Sequence, residues 1–321
     1  MTINSLAVSE LSFAFESDGS HTNQPHSSSL FSSLEGVDFG FKYTTGALLA
    51  QRKAQELLSI LRDHSKSRAV SNCFPYKPWG WMPHLDRERF QNAPFIFQSC
   101  RNKNVCPVCA RKHGAKSRRL LLSSLSYYFD HGYRVWSQTL EMGFVASLKA
   151  KDRYRIILRC FTELLKSSAI RRLRKRNRIA YYRVLEETLV QETWTPHIHV
   201  LWVFTPELSE QEIANFIDQV SRSWRAIRKS STDTVSNERP LFAKPLEEQN
   251  FVITAWYLHK SFFLDGFESV DHSKRRVRPI DYLSEFTRTA DFDLLDVWNQ
   301  FEEAVFGLTK YKFSNDWMFV S

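Results

Sequence analysis

Two histidines flank one bulky apolar residue at His197-Ile198-His199, directly ahead of the apolar run Val200-Leu201-Trp202-Val203-Phe204. The run reads as a strand. Residues i and i+2 of a strand share a face, so both imidazoles project side by side while Ile198 packs behind them. Two neutral imidazoles suit a divalent cation and leave positions for a carboxylate, water and substrate oxygens. The β-branched and aromatic stretch at 181–189 precedes this strand by a short loop, which predicts an antiparallel pair. Alternation then sets Val184, Glu186 and Thr188 on one face and Glu187 on the other, and Glu186 is the carboxylate expected beside the histidines. Taken alone, each feature has a plainer reading: a strand with a polar face, and glutamates that are ordinary edge charges.

A second ligand set lies upstream. Cys106-Pro107-Val108-Cys109 forms a turn in which two thiolates can approach one ion. Cys100 is close by and Cys73 lies 27 residues further upstream, so four thiols can complete a tetrahedral, structural zinc site. A Cys-X-X-Cys turn is also a redox pair in some proteins. Cys160 falls in a helical pattern and reads as core. A third candidate group is Tyr257 with Lys260, one turn apart if 251–260 is helical. A phenol beside a lysine and a metal can act as a nucleophile, although most helical tyrosines are amphipathic core residues.

These groups need elements to hold them. Apolar spacing predicts helices at 45–62, at 154–165 and after the Ser209–Glu212 capping box, with strands at 133–140 and 241–246. Residues 1–38 are Ser-rich with few large aliphatics and read as a flexible leader. The expected organisation is that leader, a helix plus cysteine segment over 39–115, a catalytic domain over 116–265 and a C-terminal extension over 266–321.

Forty-four Lys and Arg against 35 Asp and Glu give a formal charge of +9, which favours polyanionic partners. The positive charge is concentrated in two runs. The first is Arg111, Lys112, Lys116, Arg118 and Arg119; the second is Arg171, Arg172, Arg174, Lys175, Arg176 and Arg178. Like charges packed this densely repel unless something neutralises them, and DNA phosphates would. No apolar run is long enough to cross a bilayer, so no membrane partner is expected. The first Lys or Arg is Lys42, unlike the start of a signal peptide, and the cysteine usage fits a reducing cytoplasm.

In order, Cys73, Cys100, Cys106-Pro107-Val108-Cys109, Gln138-Thr139-Leu140, Val184-Leu185-Glu186-Glu187-Thr188, Pro196-His197-Ile198-His199 and Tyr257-Leu258-His259-Lys260 resemble one family. The chain is similar to plasmid rolling-circle replication initiators, HUH-type (His-hydrophobic-His) endonucleases with an upstream cysteine cluster. The resemblance implies an α+β fold with a central antiparallel sheet, a ferredoxin- or RRM-like HUH core, an N-terminal zinc segment and a helical C-terminal extension. It implies that Tyr257 attacks a phosphodiester of single-stranded or extruded origin DNA, leaving a 5′-phosphotyrosyl link and a 3′-hydroxyl primer. His197, His199 and Glu186 would hold Mg²⁺ or Mn²⁺, Lys260 would assist, and host helicase and polymerase would follow. Three departures stand out. Thr195 replaces a further histidine, Ile253 takes the place of a water-activating glutamate, and the motif has one tyrosine. A transposase or relaxase of the same chemistry, or a zinc-containing DNA-binding protein without catalysis, are the rival readings.

Overall fold

Three apolar stretches, two of them buried along most of their length, build the centre of the molecule. A computed structural model describes residues 45–73, 100–143, 147–190, 192–231, 241–259 and 278–318. Strands β1 (Arg134–Glu141), β2 (Ala180–Val190) and β3 (Thr193–Phe204) are joined by β4 (Ala243–Leu246) and β5 (Tyr311–Phe313). All pairs are antiparallel, in the order β4-β1-β3-β2-β5. The α+β class with a central antiparallel sheet is as expected, and the His-Ile-His strand is its middle strand. At the tight β2–β3 connection Glu192 takes the left-handed conformation, φ 58°.

The sheet is covered on both faces, which is why β2 and β3 are buried along most of their length. One face, carrying Ile198, Val200, Trp202 and Phe204, packs α4 (Ala150–Lys166), α5 (Ser168–Arg176), α6 (Glu210–Ser231), α8 (Pro279–Thr289) and α9 (Phe292–Val305). The ring N–H groups of Trp202 and Trp194 in this core find partners. Trp202 donates to Gln138 Oε1 at 2.9 Å, and Trp194 donates to the Val297 carbonyl of α9 at 2.9 Å. The expected capping box opens α6, with Ser209 N donating to Glu212 Oε2 at 2.9 Å. The opposite face, carrying Val184, Leu201 and Val203, packs α3 (Pro107–Asp130) and α7 (Phe251–Leu258).

Helix α3 has 24 residues, about 36 Å at 1.5 Å per residue. Its first turn holds Cys109 and its body runs unbroken past residue 115, so the cysteine segment and the sheet share one rigid element. Helices α1 (Thr45–His64) and α2 (Arg68–Ser71) pack ahead of it. The C-terminal segment, expected to be helical, supplies α8 and α9 and also the edge strand β5. Inside it, Lys310 Nζ pairs with Glu187 Oε1 at 2.7 Å, both buried, on the sheet face opposite Glu186. The leader over 1–38 and Lys260 lie outside the described residues.

Candidate active site and cysteine cluster

The β2–β3 register sets Glu186 directly opposite His197, and Val184 opposite His199. Odd positions of β3 and even positions of β2 share the α3–α7 face, so all three candidate ligands converge there. Glu186 Oε2 lies 3.2 Å from His197 Nε2 and 2.5 Å from His199 Nε2. An octahedral cation with bonds near 2.1 Å separates adjacent ligand atoms by about 3.0 Å. The three atoms bracket that spacing, so the donor set fits a divalent ion. Burial pushes the Glu186 carboxyl up, but the hydrogen bonds and charge of His197 and His199 outweigh it and hold the group well below the usual carboxylate range.

The other nitrogen of His199 is also held. Thr139 Oγ1 on β1 sits 3.1 Å from His199 Nδ1, and β1 places Thr139 opposite His199 in the ladder. A partner on the far ring nitrogen fixes the tautomer in which Nε2 presents its lone pair to a cation. A Thr139→Val variant keeps the shape and loses this hydrogen bond. Its Mn²⁺ affinity, read by calorimetric titration, should fall 10- to 100-fold, roughly the cost of losing such a partner. An unchanged affinity would show that Thr139 does not orient the ring.

Tyr257 occupies the last turn of α7. Its ring lies 5.8 Å from the His199 ring at 83°, and the residue is 42 % exposed. The helix expected over 251–260 is present over Phe251–Leu258, and its end sets Tyr257 beside His199. Thr195, where a further histidine was expected in relatives, instead accepts a hydrogen bond from buried Arg153 at 3.1 Å.

Sequence reasoning missed how α7 is anchored. His259, at its C-terminus, is fully buried. Its Nδ1–H donates to the Ala255 carbonyl at 2.7 Å, so Nε2 accepts from the Tyr182 hydroxyl at 2.9 Å. The ring stacks on Tyr311 of β5 at 4.7 Å. Burial pushes His259 down to about 4, with Arg118, Lys310 and His113 adding to it against the Ala255 hydrogen bond. The ordinary value is about 6.5, so between those two pH values the unfolded chain takes up a proton the folded chain refuses. The stabilisation is complete above about pH 6.5 and is lost as pH falls towards 4, roughly 3 kcal/mol for this one group. Denaturant midpoints at pH 7.5 and 4.5 should therefore differ less in His259→Asn than in the parent; equal differences would refute the buried neutral ring.

The four cysteines also meet. Cys73 Sγ lies 3.7 Å from Cys109 Sγ and 3.7 Å from Cys106 Sγ, and Cys100 Sγ lies 3.5 Å from Cys109 Sγ. Zinc–sulfur bonds of about 2.3 Å in a tetrahedron give sulfur separations of about 3.8 Å. The set is thus close to a tetrathiolate cage, and Cys73, the ligand most distant in sequence, is a full member. Cys160 is buried apart from them in the core, as expected.

The two basic runs part company. Lys112, Lys116 and Arg119 are exposed on α3, on the triad's side of the sheet, with Arg111 and Arg118 half-buried among them. Arg171, Arg172, Lys175 and Arg176 are exposed on α5, and Arg178 just beyond it, on the opposite side. Arg174 is committed internally, to Asp316 Oδ2 at 3.1 Å and over the Tyr181 ring at 4.8 Å. Which side of a sheet a helix covers is a tertiary fact that charge spacing does not carry.

Residues 93–238 match the family described as Replication protein (Rep_1). The matched segment contains Cys100, Cys106, Cys109, Glu186, His197 and His199, and the match supports the resemblance to plasmid replication initiators. Cys73 and Tyr257 lie outside the matched residues and join that segment through the fold. No curated protein and no solved structure matches the chain. No helix among the described residues is long and apolar enough to cross a membrane.

Proposed function

We propose that the chain initiates plasmid replication by nicking one strand at the origin, with Tyr257 as the nucleophile. The observation that carries this is the exposed phenol of α7 set 5.8 Å, ring to ring, from a histidine of the Glu186-His197-His199 triad. The phenolic oxygen forms a bond to phosphorus as the P–O3′ bond breaks. The phenol loses its proton, the departing 3′ oxygen gains one, and the products are a 5′-phosphotyrosyl link and a 3′-hydroxyl primer. Mg²⁺ or Mn²⁺ held by Glu186, His197 and His199 would neutralise charge on the non-bridging phosphate oxygens. Lys260, two residues past the α7 terminus, would assist with the same charge. Because the covalent link conserves the phosphodiester's energy, the strand can be rejoined by the reverse step. Ile253, 54 % exposed one turn before Tyr257, offers no carboxylate to activate water, which favours transfer over hydrolysis at that position.

Zinc is the proposed occupant of the four thiols, and its role is to fix the start of α3. The exposed cations of α3 would hold the DNA backbone beside the triad, while those of α5 would meet DNA that passes around the sheet. Host helicase and polymerase would extend the primer in the cytoplasm.

The test uses labelled single-stranded oligonucleotides tiling the chain's own replicon, incubated with the protein and Mn²⁺ and run on a denaturing gel. Label should migrate with protein, and EDTA should abolish that band. Tight binding with no covalent band under any metal would leave a DNA-binding protein and remove the nuclease.

A further inference from the structure

The tryptophans of the described residues are buried or partly buried with one exception. Trp256 is 41 % exposed, next in sequence to Tyr257 and at the same end of α7. Large aromatic rings left on a surface mark interaction sites more often than chance placement does. The exposure is not incidental to a loose helix, because His259 and Ala255 fix this turn of α7 from beneath.

The indole is also held in position. The Arg118 guanidinium of α3 lies over its ring, 3.5 Å from the centroid. A cation on one side of an indole restrains its rotamers and draws anions to the same place. Arg111, seven residues before Arg118 and so two turns along the same face of α3, adds a second half-buried cation, and the patch pairs an aromatic face with positive charge. A segment of single-stranded nucleic acid offers the complementary chemistry, a flat base and a phosphate in every repeat. An apolar peptide segment would use the ring and gain nothing from the cations.

We propose that Trp256, clamped by Arg118, is a stacking platform for the nucleobase next to the phosphodiester presented to Tyr257. The inference rests on the nicking reading and adds a positioning residue to it. Trp256 and Tyr257 project about 100° apart around α7, the first towards α3 and the second towards His199, so a strand crossing this end of the helix can set a base on the one and a neighbouring phosphate at the other. Stacking any base is nearly sequence-tolerant, so the platform would fix the strand's register against the nucleophile without reading its identity.

The experiment is a double-mutant cycle between the ring and the base, in the full-length chain carrying Tyr257→Phe so that the DNA stays intact. A labelled oligonucleotide that the parent cuts is prepared as a set, each member with one abasic position near the cut. Affinities are measured for the Trp256 protein and for its Trp256→Ala and Trp256→Phe derivatives. Trp256→Ala should bind the intact oligonucleotide roughly 5- to 150-fold more weakly, the range that loss of one aromatic–base stack produces. The Trp256 protein should lose a similar factor at one abasic position flanking the cut, Trp256→Ala should lose nothing further there, and Trp256→Phe should restore most of the affinity. Abasic profiles that superimpose for Trp256 and Ala overturn the platform alone. Failure of the Trp256 protein to bind single-stranded DNA at all overturns the nicking reading beneath it.

Discussion

Tyr257→Phe should bind origin oligonucleotides within about a factor of two of the parent and lose covalent attachment altogether, with nicking slowed by at least about 10⁴-fold. The change removes one oxygen from a ring that is already 42 % exposed, so stability should shift by no more than about 0.5 kcal/mol and unfolding cannot mimic the loss. Among the described residues no neighbouring phenol can substitute. Tyr182 and Tyr311 flank the base of α7, but both are buried and burial pushes each phenol well above its ordinary range. The Tyr182 hydroxyl is moreover engaged with His259. Label that still migrates with Tyr257→Phe protein on a denaturing gel would mean that the nucleophile has been misassigned.

The parts of this site that sequence revealed are the ones governed by short-range geometry. A two-residue period on a strand brings His197 and His199 together and separates Glu186 from Glu187, and the structure shows both. A Cys-X-X-Cys turn is equally local. The unseen parts depend on register and side. Thr139 reaches His199 across 60 residues of sequence, through a ladder that hydrophobic pattern alone does not align. Strand β5 has three residues, too few to show any period, yet its Tyr311 ring carries His259 and so the end of α7. Arg118 looked like one cation in a run of five, whereas its neighbour across the fold is Trp256. The dense run at 171–178 does not announce its side either: α5 lies across the sheet from the triad, and within the run Arg174 pairs with Asp316.

Removing the metal from the four-cysteine cage should have the second large effect, on folding first and on chemistry through it. Cys109→Ser breaks the cage inside the first turn of α3, where the side chain is buried beside Cys73 and Cys100. Without a cation the thiols do not ionise together: hydrogen bonds from Cys100 and Cys106 hold Cys73 below its ordinary value, while Cys106 is pushed far up by its hydrogen bonds to Cys100, Cys109 and Cys73. A bound Zn²⁺ resolves that conflict by holding all four as thiolates, and its binding energy becomes folding energy. Asn104, between the ligands, donates to the Val305 and Leu308 carbonyls at 3.1 and 2.7 Å, so the cage also fastens the end of α9. Loss of at least about 5 kcal/mol is expected, lowering Tm by roughly 10 °C or more in a chain of this size. One zinc per chain, measured by elemental analysis, should fall to none in Cys109→Ser. Because α3 carries Arg118 to Trp256 beside Tyr257, the metal-free protein should also attach DNA more slowly at temperatures where it remains folded. A Cys109→Ser protein that melts with the parent, from a parent containing no zinc, would show that the thiols meet without serving a metal.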